Sequence, residues 1–290
     1  METKKERKTI VQGILFVVAS AVLFGVNPSL QKLVLQEGVT PVALIGLNYF
    51  VVAVLSFGVC CAKRKSLYIN RGQMGQLFAM GLLGMGGTSL LLNTAYGFLP
   101  VGVATMIHFL FPSVVCVAMS LIFRERFTWR KLSAILLSLG GLILMNASSS
   151  NLSTIGVLLA LCSTFTYSAY VILNERGMTG LLPQPVKLVY ISMAVAVPYT
   201  LFAMLTDATF PASTRALLMS LLIGVLYSLS IGFLNTGIRK IGATKASFIS
   251  ILEPITSVFL STILFSYQLN AATIAGCCLI VGAILFVTKE

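Results

Sequence analysis

Two ionisable side chains lie deep inside apolar runs of the sequence. Glu253 directly precedes Pro254, and His108, the only histidine, lies four residues before Pro112. An ionisable group at the centre of an apolar helix costs at least ~2.5 kcal/mol in a membrane, so such a residue is a functional candidate by default. A carboxyl and an imidazole can bind a proton or a polar solute, and these two would pair if their segments face each other.

Both residues also have structural interpretations. Glu253 would then be a protonated acid that is hydrogen-bonded between helices, or a cap for the break at Pro254. For His108 the favoured interpretation is a buried neutral histidine that donates to a carbonyl. Desolvation disfavours an ionised carboxyl, so a functional Glu253 is expected to bind a proton or the substrate.

Pro112 and Pro254 each interrupt an apolar segment. A proline inside a helix leaves the carbonyl four residues earlier without its helical donor, and the carbonyls concerned are those of His108 and Ser250. Membrane proteins tolerate such openings where neighbouring helices or a water-filled cavity satisfy the exposed group. The prolines therefore predict an opened backbone that lines a cavity, and a kink that only shapes packing is the alternative.

Polar side chains recur at helical spacing along several apolar segments. Positions three or four apart share one helix face, so each set predicts a polar stripe. Together with His108, the candidate substrate-binding residues are Ser20 and Asn27, Asn93 and Tyr96, Ser163, Tyr167 and Tyr170, and Ser250 and Glu253. Small and polar faces also serve plain helix packing in membranes. For Asn93 and Asn235, pairing with carbonyls at helix ends is the favoured interpretation.

The sequence predicts no enzyme, no cofactor and no metal site. It contains no Walker loop, HExxH or GxSxG pattern, and one histidine with one deep carboxylate is a poor set of metal ligands. The six cysteines lie inside apolar runs without a CxxC pair, which favours a packing role. Glu125, between Arg124 and Arg126, is interpreted as part of a local charge network at the membrane surface.

The composition is that of an integral membrane protein. Of the 290 residues 57% are hydrophobic and 10% are charged, against about 25% charged residues in soluble domains. Apolar runs long enough to cross a bilayer core of ~30 Å recur along the chain. Backbone groups in lipid must be satisfied internally, so the runs predict an all-α integral membrane protein with the lipid bilayer as its partner. The net charge of +12 lies in short clusters between the runs, which indicates membrane orientation and not nucleic acid binding.

Ten transmembrane helices are predicted. They span about 10–34, 42–62, 74–97, 101–123, 130–147, 153–173, 186–206, 214–237, 241–265 and 270–288. With both termini in the cytoplasm, only Lys32 and Arg215 of the 20 lysines and arginines fall on the outer side. This asymmetry follows the positive-inside rule and predicts a multi-pass membrane protein with cytoplasmic ends.

The two halves of the chain, 1–147 and 148–290, resemble each other. One constant shift places Asn93 on Asn235, Ala104 on Ala246 and Pro112 on Pro254. Each half would hold five helices, and because five is odd the second half would be inserted upside down. Inverted repeats of this kind recur in secondary transporters, with the substrate near the midplane between the repeats.

The segments around the two prolines resemble the drug/metabolite transporter superfamily, in its ten-helix EamA-type branch. The resemblance is carried by residues 101–105, 111–112, 121–128 and 140–144, and again by residues 243–247 and 252–254 with Gly276 and Gly282. It covers nearly the whole chain, and its motifs keep one order in both halves. Tyr267-Gln268 departs from the pattern, because the family usually has an acidic residue there. The resemblance implies an integral secondary carrier of the inner or plasma membrane, often an exporter of amino acids or other small metabolites.

The sequence thus predicts a secondary transporter that works by alternating access, in which Glu253 binds either the substrate or a proton that couples its transport. Its expected substrate is a small polar metabolite such as an amino acid, because an ammonium group can face Glu253 and a tyrosine ring. A polyanion would need deep cationic partners that the predicted spans lack. An ion-independent facilitator and a non-transporting membrane receptor are the alternatives, and no oligomeric state is predicted.

Overall fold

The protein is all-helical throughout the part of the chain that the structure describes. The computed structural model describes residues 4–95, 97–99, 101–145, 153–265 and 271–288, and within them the regular elements are helices without a strand. In chain order they are α1 (Lys4–Gln36), α2 (Pro41–Ala62), α3 (Arg71–Ala79), a π-helix (Met80–Gly86), α4 (Gly87–Ala95), α5 (Val101–His108), α6 (Phe111–Phe123), α7 (Trp129–Met145), α8 (Thr154–Arg176), α9 (Gln184–Leu205), α10 (Thr214–Ile241), α11 (Ala243–Ile249), α12 (Leu252–Phe265) and α13 (Ala271–Thr288). The all-α prediction is confirmed.

Six of the described helical segments are long and apolar enough to cross a membrane. They are Lys8–Gln36, Pro41–Ala62, Arg71–Ala95, Thr154–Arg176, Gln184–Leu205 and Thr214–Ile241, and Phe111–Phe123 and Ile274–Ala283 are shorter apolar helices. Large apolar side chains such as Leu15, Leu121 and Ile263 are exposed on the outside of the bundle, as expected for a surface in contact with lipid. The number of crossings and the inverted orientation of the halves stay predictions.

Close helix pairs hold the bundle together. α1 packs along α10, α2 along α9, and α7 along α13, while α8 lies against α4 and the π-helix. Glycines permit the closest approaches: a side-chain carbon on Gly237 would lie 2.2 Å from Val17 Cγ2, and one on Gly224 would lie 2.6 Å from Val51 Cβ. Small residues at helix contacts are how membrane helices gain van der Waals packing, since lipid gives them no hydrophobic driving force to associate.

Two apolar segments are interrupted beside the prolines. Two residues separate α5 from α6, and two separate α11 from α12. Pro112 and Pro254 lie in the first turns of α6 and α12, where a proline takes away no helical hydrogen bond. Each proline therefore begins a second helix after the break, in agreement with the predicted opening of the backbone.

Candidate functional site

Glu253 lies in the first turn of α12, directly after the break, and is half-buried. Among the described residues, no side chain or backbone N–H donates to its carboxylate or forms an ion pair with it. Tyr167 and Tyr227 are close enough to interact electrostatically with this carboxyl. The backbone carbonyl of Glu253 packs against α1, where a side-chain carbon on Gly25 would lie 2.7 Å from it. The carboxyl is thus an interior acid without a protein partner in the described chain.

His108, the last residue of α5, is buried and bonds to α8. Its Nδ1 lies 3.0 Å from Ser163 Oγ, and that hydroxyl donates to the Ala160 carbonyl at 2.6 Å. Because the hydroxyl proton is used there, Nδ1 is the donor to Ser163. The acceptor is thus a hydroxyl, where the structural interpretation of His108 expected a carbonyl. No ion pair joins His108 to Glu253, so their expected pairing is wrong. The Tyr167 ring lies 5.3 Å from the imidazole.

Five tyrosines lie close to one another, and we call Tyr49, Tyr167, Tyr170, Tyr199 and Tyr227 the tyrosine cluster; Tyr167 and Tyr227 are its members near Glu253. They interact electrostatically with one another, the rings of Tyr49 and Tyr227 lie 5.9 Å apart, and Tyr167 stacks on Tyr170 at the same distance. Only Tyr167 and Tyr170 were candidates from the sequence. The other three lie on α2, α9 and α10, and no local spacing links them to the polar stripes.

The polar stripe on α1 contains Ser20, which has a hydrogen-bond partner, and Asn27, which has none among the described residues. Ser20 is buried, and its hydroxyl donates to the Ser230 carbonyl on α10 at 2.8 Å. Asn27 is also buried, and neither its Oδ1 nor its Nδ2 has a hydrogen-bond partner in the described structure. The same stripe carries Phe24, whose ring meets the Tyr227 ring edge-on at 5.6 Å. The stripe therefore faces α10 and the tyrosine cluster.

The α8 stripe leads from Tyr167 and Tyr170 to a buried polar network. Asn235 Oδ1 accepts from the Tyr170 hydroxyl at 2.7 Å and from Asn174 Nδ2 at 3.0 Å. Lys187, fully buried in the first turn of α9, donates to Asn174 Oδ1 at 2.8 Å and to its carbonyl at 3.4 Å. The favoured interpretation of Asn235 as a partner for helix-end carbonyls is therefore wrong. Sequence reasoning found Tyr170 but did not predict its bonding to Asn235, Asn174 and Lys187, because the four residues lie on three helices.

The carbonyls beside the two prolines find different partners. The Ser250 carbonyl accepts from the Glu253 N–H at 3.0 Å. The Thr164 hydroxyl lies 3.4 Å from the His108 carbonyl, but it is closer to the carbonyls of Ile107 and Ala160, at 3.0 and 3.1 Å. The Ser250 hydroxyl donates to the Ala246 carbonyl at 3.0 Å, so it offers a solute only its lone pairs. The opening beside Pro254 is thus satisfied within the protein.

The last two candidate residues are Asn93 and Tyr96, and neither is among the contacts described above. Asn93 is half-buried on α4, and no bond of its side chain places it in the group around Glu253. Tyr96 lies outside the described residues. No group of three or more histidine, cysteine or acidic side chains that could hold a metal ion occurs in the part of the chain that was described.

A charge cluster lies at the end of the bundle where α8 terminates, formed by Glu125, Lys131, Glu175 and Arg176. Glu125 pairs with Arg176 at 2.7 Å and with Lys131 at 3.5 Å, and Arg176 Nε lies 3.3 Å from Glu175. The Glu175 carboxylate accepts the N–H of Ala243 at the start of α11. A cleft of about 340 Å³ opens beside the cluster, between Glu125, Lys131 and residues 241–245. The network of Glu125 is therefore not local, because it joins distant segments.

Comparison with known proteins identifies the family. A sequence model of the EamA-like transporter family matches residues 11–147 and again residues 154–289. A protein of Archaeoglobus fulgidus described as an uncharacterized transporter is 25% identical over 256 residues, covering 87% of this chain and 90% of that protein. A solved crystal structure superposes with a TM-score of 0.84 at 16% identity and covers 96% of both chains, which is a likeness of fold. The chain belongs to the EamA-like transporter family and is a multi-pass integral membrane transporter.

Proposed function

We propose that the protein is a secondary transporter that exports a small polar metabolite, with amino acids as the first candidates, by alternating access. The observation that carries this proposal is the interior carboxyl of Glu253, which has no partner in the described chain and lies among tyrosines. A buried charge without a partner is costly, so a site that keeps one is suited to a ligand that supplies the partner.

The surroundings of Glu253 favour an ammonium group as that partner. A cation is attracted both by a carboxylate and by the faces of tyrosine rings. The buried lysine, Lys187, is already bonded to Asn174, so it is a poor partner for a polyanionic solute. A purely apolar solute would leave the polar groups at Asn27 and Glu253 unpaired, which is unfavourable.

The proposed architecture is ten transmembrane helices in two inverted repeats, 1–147 and 148–290. The double match to the family model supports this division. So does the helix packing: if α1 corresponds to α8, then α1 against α10 has its counterpart in α8 against α4 and the π-helix. The distribution of lysine and arginine supports cytoplasmic termini in a cell membrane.

Proton coupling through Glu253 is part of the proposal. A carboxyl that alternates between a proton and a substrate ammonium exchanges one cation for another, which couples the two fluxes. An ion-independent facilitator remains the alternative within transport, and a non-transporting receptor is the alternative outside it. An imposed proton gradient that drives uphill movement would separate coupled transport from both.

Counterflow in liposomes tests the proposal. Vesicles that contain the purified protein are loaded with unlabelled amino acids, with organic phosphates, or with neither, and uptake of the matching labelled solute is followed. We expect accumulation in the amino-acid set alone. Accumulation only in the phosphate set would contradict the proposed substrate, and no exchange of any solute would contradict transport of this class.

A further inference from the structure

The side chain of Asn27 is buried without a hydrogen bond, which is rare in folded proteins. Only 1% of the residue is exposed, and both Oδ1 and Nδ2 are without a partner among the described residues. A buried amide that holds helices together would bond to a neighbouring helix, as Ser20 does to the Ser230 carbonyl on the same face of α1. Asn27 makes no such bond, so its amide is available to a ligand.

Neighbours on α1 fix the direction in which Asn27 points. Phe24 and Gln31 lie three residues before and four residues after it, and such positions share one helix face. Phe24 packs edge-on against the Tyr227 ring, and Gln31 Nε2 lies 3.5 Å from the Tyr227 hydroxyl. Asn27 therefore faces α10 at the level of Tyr227.

Tyr227 also connects this face of α1 with Glu253. Tyr227 and the Glu253 carboxyl are close enough to interact electrostatically. The start of α12 lies against α1 two residues before Asn27, where a side-chain carbon on Gly25 would lie 2.7 Å from the Glu253 carbonyl oxygen. An amide with two unused polar atoms and a carboxyl without a partner in the described chain thus lie at one level of the bundle, with Tyr227 near both.

The carboxamide of asparagine presents an acceptor and a donor side by side. An α-amino acid presents an ammonium group and a carboxylate on one carbon, so its headgroup can satisfy both amide atoms together. An amine without the carboxylate would leave Nδ2 unpaired, and a carboxylate without the amine would leave both Oδ1 and Glu253 unpaired.

We propose that Asn27 determines specificity for an α-amino acid headgroup: its Oδ1 accepts from the substrate ammonium group beside Glu253, and its Nδ2 donates to the substrate carboxylate. This inference rests on the proposed function and adds the part of the substrate that is recognised. A site that leaves one polar group unpaired with the wrong solute discriminates strongly against that solute.

Counterflow with matched solutes tests the role of Asn27. Phenylalanine, phenethylamine and 3-phenylpropanoate form one set, and alanine, ethylamine and propanoate form another. We expect the wild-type protein to prefer the amino acid of at least one set over its amine and its acid by roughly tenfold or more. Asn27→Leu, of similar size, should lose the preference over the amine, and Asn27→Asp, which keeps the acceptor and loses the donor, should lose it too.

Ser230→Ala on the facing helix α10 is the matched control, and it should keep the preference because the buried Ser230 hydroxyl donates to the Leu226 carbonyl at 2.7 Å. If Asn27→Leu fails to fold, Asn27→Asp and the solute preference of the wild type still test whether Asn27 determines the specificity. Equal exchange of amino acid and amine by the wild type, or an unchanged preference in a folded Asn27 variant, would overturn this inference and leave the proposed transport intact. No exchange of any solute would overturn both.

Discussion

The Glu125 carboxylate accepts from the Arg176 guanidinium at 2.7 Å and thereby joins the link between α6 and α7 to the last turn of α8. The same carboxylate lies 3.3 Å from the Thr244 hydroxyl at the start of α11. Three segments that are distant in sequence are therefore tied together at one end of the bundle. In an alternating-access cycle these segments have to separate when a route to Glu253 opens on that side.

Removing the charge of Glu125 is expected to weaken the contacts that hold the α6–α7 link, the last turn of α8 and the start of α11 together. Partly exposed ion pairs contribute roughly 0.2–1 kcal/mol, so Glu125→Gln should raise the population of the state open at this end by a few-fold. The measurement is the alkylation rate of a cysteine placed at Ser250 in a protein without other cysteines, with reagent added on the side of Glu125.

The Glu37–Arg215 ion pair, at 3.6 Å with an exposed arginine, gives the control. It joins the α1–α2 link to the start of α10, so Arg215→Gln should leave that alkylation rate unchanged. An equal rate in Glu125→Gln and the parent protein would show that the charge cluster does not close the route.

Removing the charge of Glu253 is expected to abolish coupling to protons. Glu253→Gln keeps the size of the side chain and cannot release a proton, so a proton gradient should no longer drive uphill movement of the solute. Uptake into proteoliposomes with and without an imposed gradient measures this effect. Gradient-driven uptake at the wild-type rate in a folded Glu253→Gln protein would reduce Glu253 to a structural role.

A single methyl group between α7 and α13 is expected to destabilise the fold. A side-chain carbon on Gly141 would lie 2.7 Å from the Gly276 carbonyl oxygen and 2.8 Å from Ile280 Cγ1. Relieving the first contact requires the backbone of α13 to shift, which is unfavourable. Overpacking of this kind typically costs ~1–3 kcal/mol, so Gly141→Ala should lower the unfolding temperature in detergent.

Gly282→Ala on α13 is the matched variant, because no described atom lies within 4 Å of its added carbon. Alanine also has the higher helix propensity, so the unfolding temperature should stay level or rise. Similar losses of stability in both variants would mean that the α7–α13 contact is looser than the structure shows.

The proposed topology predicts which connections face the cell exterior. Ser66 and Thr209 are both exposed, in the links after α2 and α9, and the ten-span arrangement puts them on opposite sides. In a protein without other cysteines, a cysteine at Thr209 should react with an impermeant reagent in intact cells. A cysteine at Ser66 should react only after permeabilisation, and its labelling in intact cells would rule out this topology.

The amino-acid sequence by itself determined the helical membrane class, the family, the breaks beside Pro112 and Pro254, and the buried stripes on α1 and α8. These features are local: length, apolarity, proline chemistry and the helical repeat can be read within one segment. Asn27 and Tyr170 were found in this way, because each lies on a polar face that its own neighbours define.

Only the tertiary structure decided which side chains meet. The tyrosine cluster, the bonding of Asn235 to Tyr170, the Ser163 partner of His108 and the pairing of Glu125 with Arg176 each join different helices. Such contacts depend on which helices pack together and at what depth, and glycines that allow close approach contribute to that choice. Helical periodicity gives the face on which a residue lies, but the neighbour of that face is set by the packing of the whole bundle.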